Sequence, residues 1–403
     1  MVNHTVQLRS PALWKLILFG GIASFCALLP ADAVPALAQL FHINSDAAEG
    51  VLSWFLFGYG IGPIIYGPIA NRFGRKKSLL IGLFLGIIGM SLSLLSLAIH
   101  SFELMLISRL IAGIGTSAGL VISMVMLNET NDPTEARRKY SIVILFFAFA
   151  PSIALAIGGI LTEHISASSV FIFMPAILIA IIAAAASIKE TYQGKSIPIK
   201  ILPIARNFAH AFSCRPFILL TLILGAASSS MYVFNGLSPL IAINTLHISP
   251  ETYGELSLIA GLGLFCGALL SARLANIFSA QQNIAIALTH TLLGALIMMI
   301  AFMLNYINLY MLLIPAFLIF FGIAIIVPNS SMSALAASDN PAIAASAMNS
   351  TALLISSIIL SISGYFFTIS LIAVPISLCL LAIASIIFLM LTPAQKKVRA
   401  NND

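Results

Sequence analysis

The chain is short of charge. Of its 403 residues only 19 are Lys or Arg and 13 are Asp or Glu, 8% in all. Soluble domains carry about a quarter charged residues, so this chain cannot cover a water-facing surface and an ordinary soluble fold is excluded. Cysteine is scarce as well. Cys26, Cys214, Cys266 and Cys379 are scattered, three of them within apolar runs, with neither metal spacing nor a disulfide pattern. They read as small core hydrophobes, and nothing calls for a metal or a cofactor. Neither an HExxH nor a GxSxG motif occurs, and there is no nucleotide-binding loop, which argues against an enzyme and against ATP-driven transport by this chain alone. The first apolar run, Leu13 to Leu40, is too long for the core of a cleavable signal and lacks a small-residue cleavage site after it.

What is abundant is apolar sequence: 60% of residues are hydrophobic and the mean hydropathy is +1.07. A bilayer-spanning helix needs about 20 mostly apolar residues. Runs of that size fall near 12–38, 47–70, 78–98, 102–128, 140–161, 168–187, 216–243, 252–275, 283–304, 308–333, 341–365 and 370–392. The expectation is an all-α membrane protein of twelve transmembrane helices. Most runs are hydrophobic all round, as suits helices that meet lipid on one side and other helices on the other.

Orientation follows from Lys and Arg counted by loop. With the N-terminus inside, 18 of the 19 basic residues fall in cytoplasmic segments and none in the opposite loops. The clusters include Arg72, Arg75, Lys76 and Lys77 after span 2, and Arg137, Arg138 and Lys139 before span 5. A missed or invented span would scatter them over both sides, so both termini are expected in the cytoplasm, in a multi-pass membrane protein. Basic residues flank spans instead of forming a face, which argues against nucleic acid. The expected partners are lipid, a small-molecule substrate and protons, and the expected state is a monomer.

The longest polar interval, Lys189 to Pro216, divides the spans six and six. It gives an N-terminal half (1–188), a central linker (189–215) and a C-terminal half (216–403). Within the linker Ile204, Phe208, Ala211 and Phe212 share one helical face, so a short surface helix and an unstructured tether both fit. Two six-span halves suggest a parallel repeat with a substrate site between them. Gly67-Pro-Ile-Ala-Asn71 ends span 2 and Gly267-Ala-Leu-Leu-Ser271 ends span 8 in the equivalent place.

The loop after span 2 reads GPIANRFGRKKSLLIG. The order Gly67, Asn71, Arg72, Gly74, Arg75, Lys76 resembles the signature of the major facilitator superfamily, with Asn71 where that family usually has Asp. Asn can cap a helix end but cannot hold a charge against an Arg, so a latch that is weaker or set differently is expected. Asp32-Ala-Val-Pro35-Ala-Leu, Arg109-Leu-Ile-Ala-Gly113-Ile-Gly115, Ser238-Pro239, Ile248-Ser-Pro250-Glu-Thr-Tyr253-Gly254, Pro328-Asn329, Ala344-Ala-Ser346-Ala347 and Glu190-Thr191 resemble elements of the Bcr/CflA-type drug exporters in order and position. The resemblance implies two six-helix halves and drug:proton antiport. Its span 5 antiporter motif is half present, as Ala150-Pro151 and the pair Gly158-Gly159, which weakens the case for export as the direction.

Ionisable residues inside a membrane are costly and default to functional candidates. Arg109 lies about six residues into span 4, roughly 9 Å deep, and Asp32 about six residues from the outer end of span 1. No other acidic residue reads as equally deep. The two are expected to face each other or to share a water-filled cavity, either as a proton-coupling site or as a static pair fixing span 1 against span 4. Pro30 and Pro35 flank Asp32 and each removes a backbone donor, so a broken or kinked end to span 1 is expected. Trp54, Phe57, Tyr59, Phe146, Phe147, Tyr232 and Asn235 are candidates to line a substrate cavity, and each also fits lipid-facing or interhelical packing. His290 in span 9 is a further candidate for proton handling, with a hydrogen-bonded core histidine as the alternative. The leading function is a proton-coupled secondary transporter exporting a lipophilic or amphipathic small organic molecule. An importer on the same fold and a transport-inactive sensor are the alternatives.

Overall fold

The computed structural model describes residues 10–192, 206, 208–275, 277–338, 341–367 and 369–393. The secondary structure of these residues is entirely helical: α1 (Leu13–Leu28), a 3-10 turn (Ala31–Ala33), α2 (Val34–Leu40), α3 (Ser45–Phe73), α4 (Arg75–Ile99), α5 (Phe102–Thr130), α6 (Pro133–His164) and α7 (Ser169–Ala186). After the central segment come α8 (Arg215–Leu240), a π turn (Ile241–Thr245), α9 (Pro250–Leu274), α10 (Ala280–Met303), α11 (Leu309–Ala336), α12 (Pro341–Phe367) and α13 (Ala373–Leu391). Twelve helical stretches are long and apolar enough to cross a membrane, the first formed by α1, the turn and α2 together. They match the twelve expected runs to within a few residues. Of the linker helix, Arg206 and Phe208–Ala211 are helical, with Ala211 buried and Phe212 set edge-on against Phe217 of α8. Ile204 lies outside the described residues.

Small residues decide how closely these helices approach. On α4, Gly82 and Gly89 meet Ala118, Gly115 and Ala112 of α5 so closely that a Cβ at either would strike its neighbour, and Gly86 sits tightly against Thr116. Gly113 lies under the Phe55 carbonyl of α3 in the same way. The two halves join along two seams. In one, Gly159 of α6 lies under the Pro250 carbonyl of α9, while Gly254 and Gly261 of α9 receive α6; next to it, Gly158 lies under the Leu29 carbonyl within the first half. In the other, Gly60 of α3 receives Leu354 of α12, and the Ser357 hydroxyl donates to the Ser53 carbonyl at 2.7 Å. Both seams run to the end of the bundle opposite the basic loops, where His164 pairs with Glu251 at 3.0 Å.

At the other end the basic residues tie the loops of the first half together. Lys15 Nζ donates to Ser187 Oγ and Lys76 Nζ to the Ala186 carbonyl, each at 2.6 Å. Gly74 has φ +90°, a left-handed conformation, and its missing side chain makes room for the Glu190 carboxylate. Glu190 accepts from the backbone N–H groups of Arg75 (2.8 Å) and Lys76 (3.2 Å), a carboxylate set against the first turn of α4. Arg75, nearly buried, forms an ion pair with Glu129 of α5, donates to the Asn71 Oδ1 (2.9 Å) and Ala70 carbonyl (2.6 Å), and stacks on Tyr192. Arg72 lies over Phe73. Gly67, by contrast, faces open space, so packing does not explain it.

Candidate functional site

Span 1 breaks where its prolines predict. Pro30 has no N–H, so the Cys26 carbonyl loses its i+4 donor, α1 stops at Leu28, and Asp32 sits in the 3-10 turn before α2. The vacated carbonyl has a new partner: Arg109 Nη2 of α5 donates to Cys26 O at 2.8 Å, while Nε donates to Val51 O of α3 at 2.8 Å. Met174 Sδ lies 3.5 Å from Nη1, and the guanidinium stacks 4.3 Å from the Phe55 ring centroid. The buried cation is therefore solvated by main-chain oxygens and a ring face.

This corrects the expected pairing of Asp32 with Arg109. The guanidinium is occupied by carbonyls, and both carboxylate oxygens of Asp32, 1% exposed, have no hydrogen-bond partner. Similar depth places two residues at one level of the bilayer without setting which way each side chain points. The turn that carries Asp32 packs on α6 of the first half and on α8 and α9 of the second, and Tyr253 of α9 is close enough to feel the Asp32 charge. The Tyr253 hydroxyl is hydrogen-bonded to Ser238 of α8.

A second set of buried polar groups lies on the same interface. Tyr59 of α3 and Tyr232 of α8 are electrostatic neighbours, and Ser24 of α1 lies beside Tyr232 without the geometry of a hydrogen bond. Asn235 follows Tyr232 by three residues and Ser238 follows Asn235 by three, so all three lie close on one side of α8. Ser24 Oγ, Tyr59 OH, Tyr232 OH and Asn235 Nδ2 are buried without partners. Orphaned buried polar atoms are uncommon and call for an explanation. Here six of them, counting the two oxygens of Asp32, come from three helices and one turn at the meeting of the two halves. Such a layer can accept a proton at the carboxylate and offer hydroxyl and amide donors to a solute.

Three of the candidate lining residues lie elsewhere. Trp54, Phe57 and Phe146 are 41%, 39% and 47% exposed, the first beside Gly50 and Leu106 and the last on the same side of α6 as exposed Ile160. Phe147 is half-buried against the core. Pro151 is buried in mid-α6. His290 Nδ1 bonds the Ile286 carbonyl at 2.8 Å and the ring packs on Phe321, the hydrogen-bonded histidine alternative. A further correction concerns depth of acid: Glu49 of α3 is 1% exposed, as buried as Asp32. Its position three residues inside the expected start of span 2 was the available signal. Ser238 and Tyr253 stand in the resemblance motifs, but nothing in the sequence showed that they would bond.

Residues 16–364 match the sequence profile of the Major Facilitator Superfamily. Multidrug resistance protein D of Escherichia coli K12 is 23% identical over 325 residues, 80% of each chain. Chloramphenicol resistance protein CraA of Acinetobacter baumannii is 25% identical over 293 residues, 72% of this chain and 70% of that protein. Several other curated relatives are matched over just under two thirds of their own length. The D-xylose-proton symporter crystal structure superposes with a TM-score of 0.76 at 15% identity, covering 94% of this chain and 97% of that one. With its twelve apolar helices and this matched span, the chain belongs to the Major Facilitator Superfamily, as a multi-pass membrane carrier and not an enzyme.

Proposed function

We propose that the chain is a proton-coupled secondary carrier that exports a lipophilic or amphipathic small organic molecule by alternating access, with its basic loops in the cytoplasm of a bacterial inner membrane. The observation that carries this reading is Asp32: a carboxylate buried with no partner, in a layer shared by both halves. An ionised carboxylate held there would cost several kcal/mol, so Asp32 holds its proton while this end is closed. Opening toward water on either side lets it exchange that proton. Tyr59, Tyr232 and Asn235 offer the solute hydrogen-bonding groups, and no lining cation or second carboxylate favours a strongly ionic one. Arg109 acts as a positioning residue, tying the broken end of α1 to α3 and α5. Gly158 and Gly159 set how tightly α6 closes on the α1 and α9 backbones. The drug-resistance relatives support export.

The importer reading has its own support in the diluted Ala150-Pro151 motif of α6. Vesicles of both orientations separate the two. In everted vesicles with an acid interior, radiolabelled chloramphenicol should accumulate in the lumen, and right-side-out vesicles with an acid exterior should exclude it. Accumulation in the right-side-out vesicles would establish import; no gradient dependence in either would overturn proton coupling for this probe.

A further inference from the structure

Glu49 lies in the second turn of α3, in the seam that joins the two halves. Its side chain packs on Gly364 of α12, where a Cβ would lie 3.4 Å from Oε2, and Oε1 has no hydrogen-bond partner. Four residues on, the Ser53 carbonyl accepts the Ser357 hydroxyl across the same seam, and the Ser53 hydroxyl lies within reach of the Glu49 carboxylate, a neutral partner that brings no positive charge. A Cβ at position 364 would stand in ordinary van der Waals contact with the carboxylate, so the Glu49 side chain lies directly against the α12 backbone.

Among the described residues no cation reaches it from the elements packed against α3. The α2 and α12 helices contain no Asp, Glu, His, Lys or Arg, and Tyr365 at the end of α12 is exposed. Of the ionisable groups on α8, Arg215 is at the basic end and Tyr232 neighbours Tyr59. On α5, Glu103 is exposed and Arg109 is bound to carbonyls. Lys15 of α1 and Arg75, Lys76 and Lys77 of α4 are at the basic end, exposed His42 before α3 and exposed His100 after α4 are at the same end as Glu49, and α3 itself also carries Asp46, Tyr59 and Tyr66, with Arg72 at its far end. An unpaired carboxylate anion in such a setting is strongly disfavoured, whereas separation of α3 from α12 would give it water.

We propose that Glu49 is a second proton-binding site, protonated while the α3–α12 seam is closed and ionised when it opens. Its proton comes from and returns to water at the end away from the basic loops. Glu49 therefore makes closure of that end sensitive to pH there, and it does not itself carry a proton across. The proposal rests on the alternating-access reading but assigns no role to Asp32, so the two can fail separately.

The test uses the full chain in lipid nanodiscs, with the native cysteines replaced and spin labels at the exposed positions Glu103→Cys and Ile369→Cys. Label distances are measured from about pH 6 to about pH 9, where one linked proton changes the open-to-closed ratio by up to tenfold per unit. Expected is a closed distance in acid and a growing open population in alkali, retained in Asp32→Asn and lost in Glu49→Gln, which stays closed throughout. A full pH response in Glu49→Gln, or its loss in Asp32→Asn, would overturn the assignment. So would closure driven at alkaline pH by sodium chloride but not by choline chloride, which would make this a metal-cation site. Should Glu49→Gln fail to fold, pH-independent distances in wild type or in Asp32→Asn are enough to overturn it. Failure of the carrier reading shows separately, as absence of gradient-driven chloramphenicol movement in wild-type vesicles.

Discussion

The two halves tie their helices at the basic end with the same geometry and opposite chemistry. In the first half Arg75 of α4 is held by Glu129 of α5 and by Asn71 at the end of α3. In the second, Asn283 of α10 lies beside Asn329 of α11, and Asn329 donates to Ser271 at the end of α9 at 3.3 Å and to the Ile325 carbonyl at 2.8 Å. Ser271 and Asn329 stand 200 residues after Asn71 and Glu129, so these are corresponding places in the repeat. One knot is an ion pair and the other a chain of amides. The charged one also recruits Glu190, from the segment after α7, onto the start of α4. It thus reports on four parts of its half, while the neutral one fastens three helices. The lesson is that the missing family Asp at position 71 does not leave Arg75 without an anion: Glu129 supplies it, and the expected weakening of this latch is offset within the same half.

That comparison can be broken, and the largest effect should come from the charged knot. Arg75→Met leaves Glu129 facing no cation beside a buried position, at a cost of about 3 kcal/mol or more, and should lower the thermal unfolding midpoint most. Asn329→Leu removes the centre of the amide knot and strands the Asn283 amide and the Ser271 hydroxyl, for about 1–3 kcal/mol. If it destabilises as much as Arg75→Met, charge is not what distinguishes the halves. Asn71→Asp, which restores the family residue, should change stability by no more than about 0.5 kcal/mol, because Arg75 already has its carboxylate. A large gain there would mean that Glu129 does not fill the role in solution.

The spans and the breaks were legible because both follow from single-residue physics. Twenty apolar residues make a span, and a proline costs a donor; the interruption at Pro30 needs nothing else. The second half repeats it: span 7 gives way to a π turn at Ile241, just after Pro239. What the sequence left undecided was direction around each helix axis. Trp54 and Tyr59 are both aromatic and both on α3, yet Trp54 is 41% exposed and Tyr59 only 1%. A helix that is hydrophobic all round has no polar face to say which side turns inward. The same gap misdirected Asp32 toward Arg109. Counting backbone donors around Pro30 would have shown a free carbonyl at Cys26, and a guanidinium one helix away is a natural group to fill it.

In the proposed mechanism Asp32, without a hydrogen-bond partner between the halves, couples proton movement to solute movement. The most direct measurement is chloramphenicol accumulation in everted vesicles with an acid interior, comparing wild type with Asp32→Asn, beside exchange of labelled for unlabelled chloramphenicol without a gradient. Asp32→Asn is expected to lose gradient-driven accumulation, by about a hundredfold or to background, while exchange persists. Accumulation by Asp32→Asn at the wild-type level would contradict it.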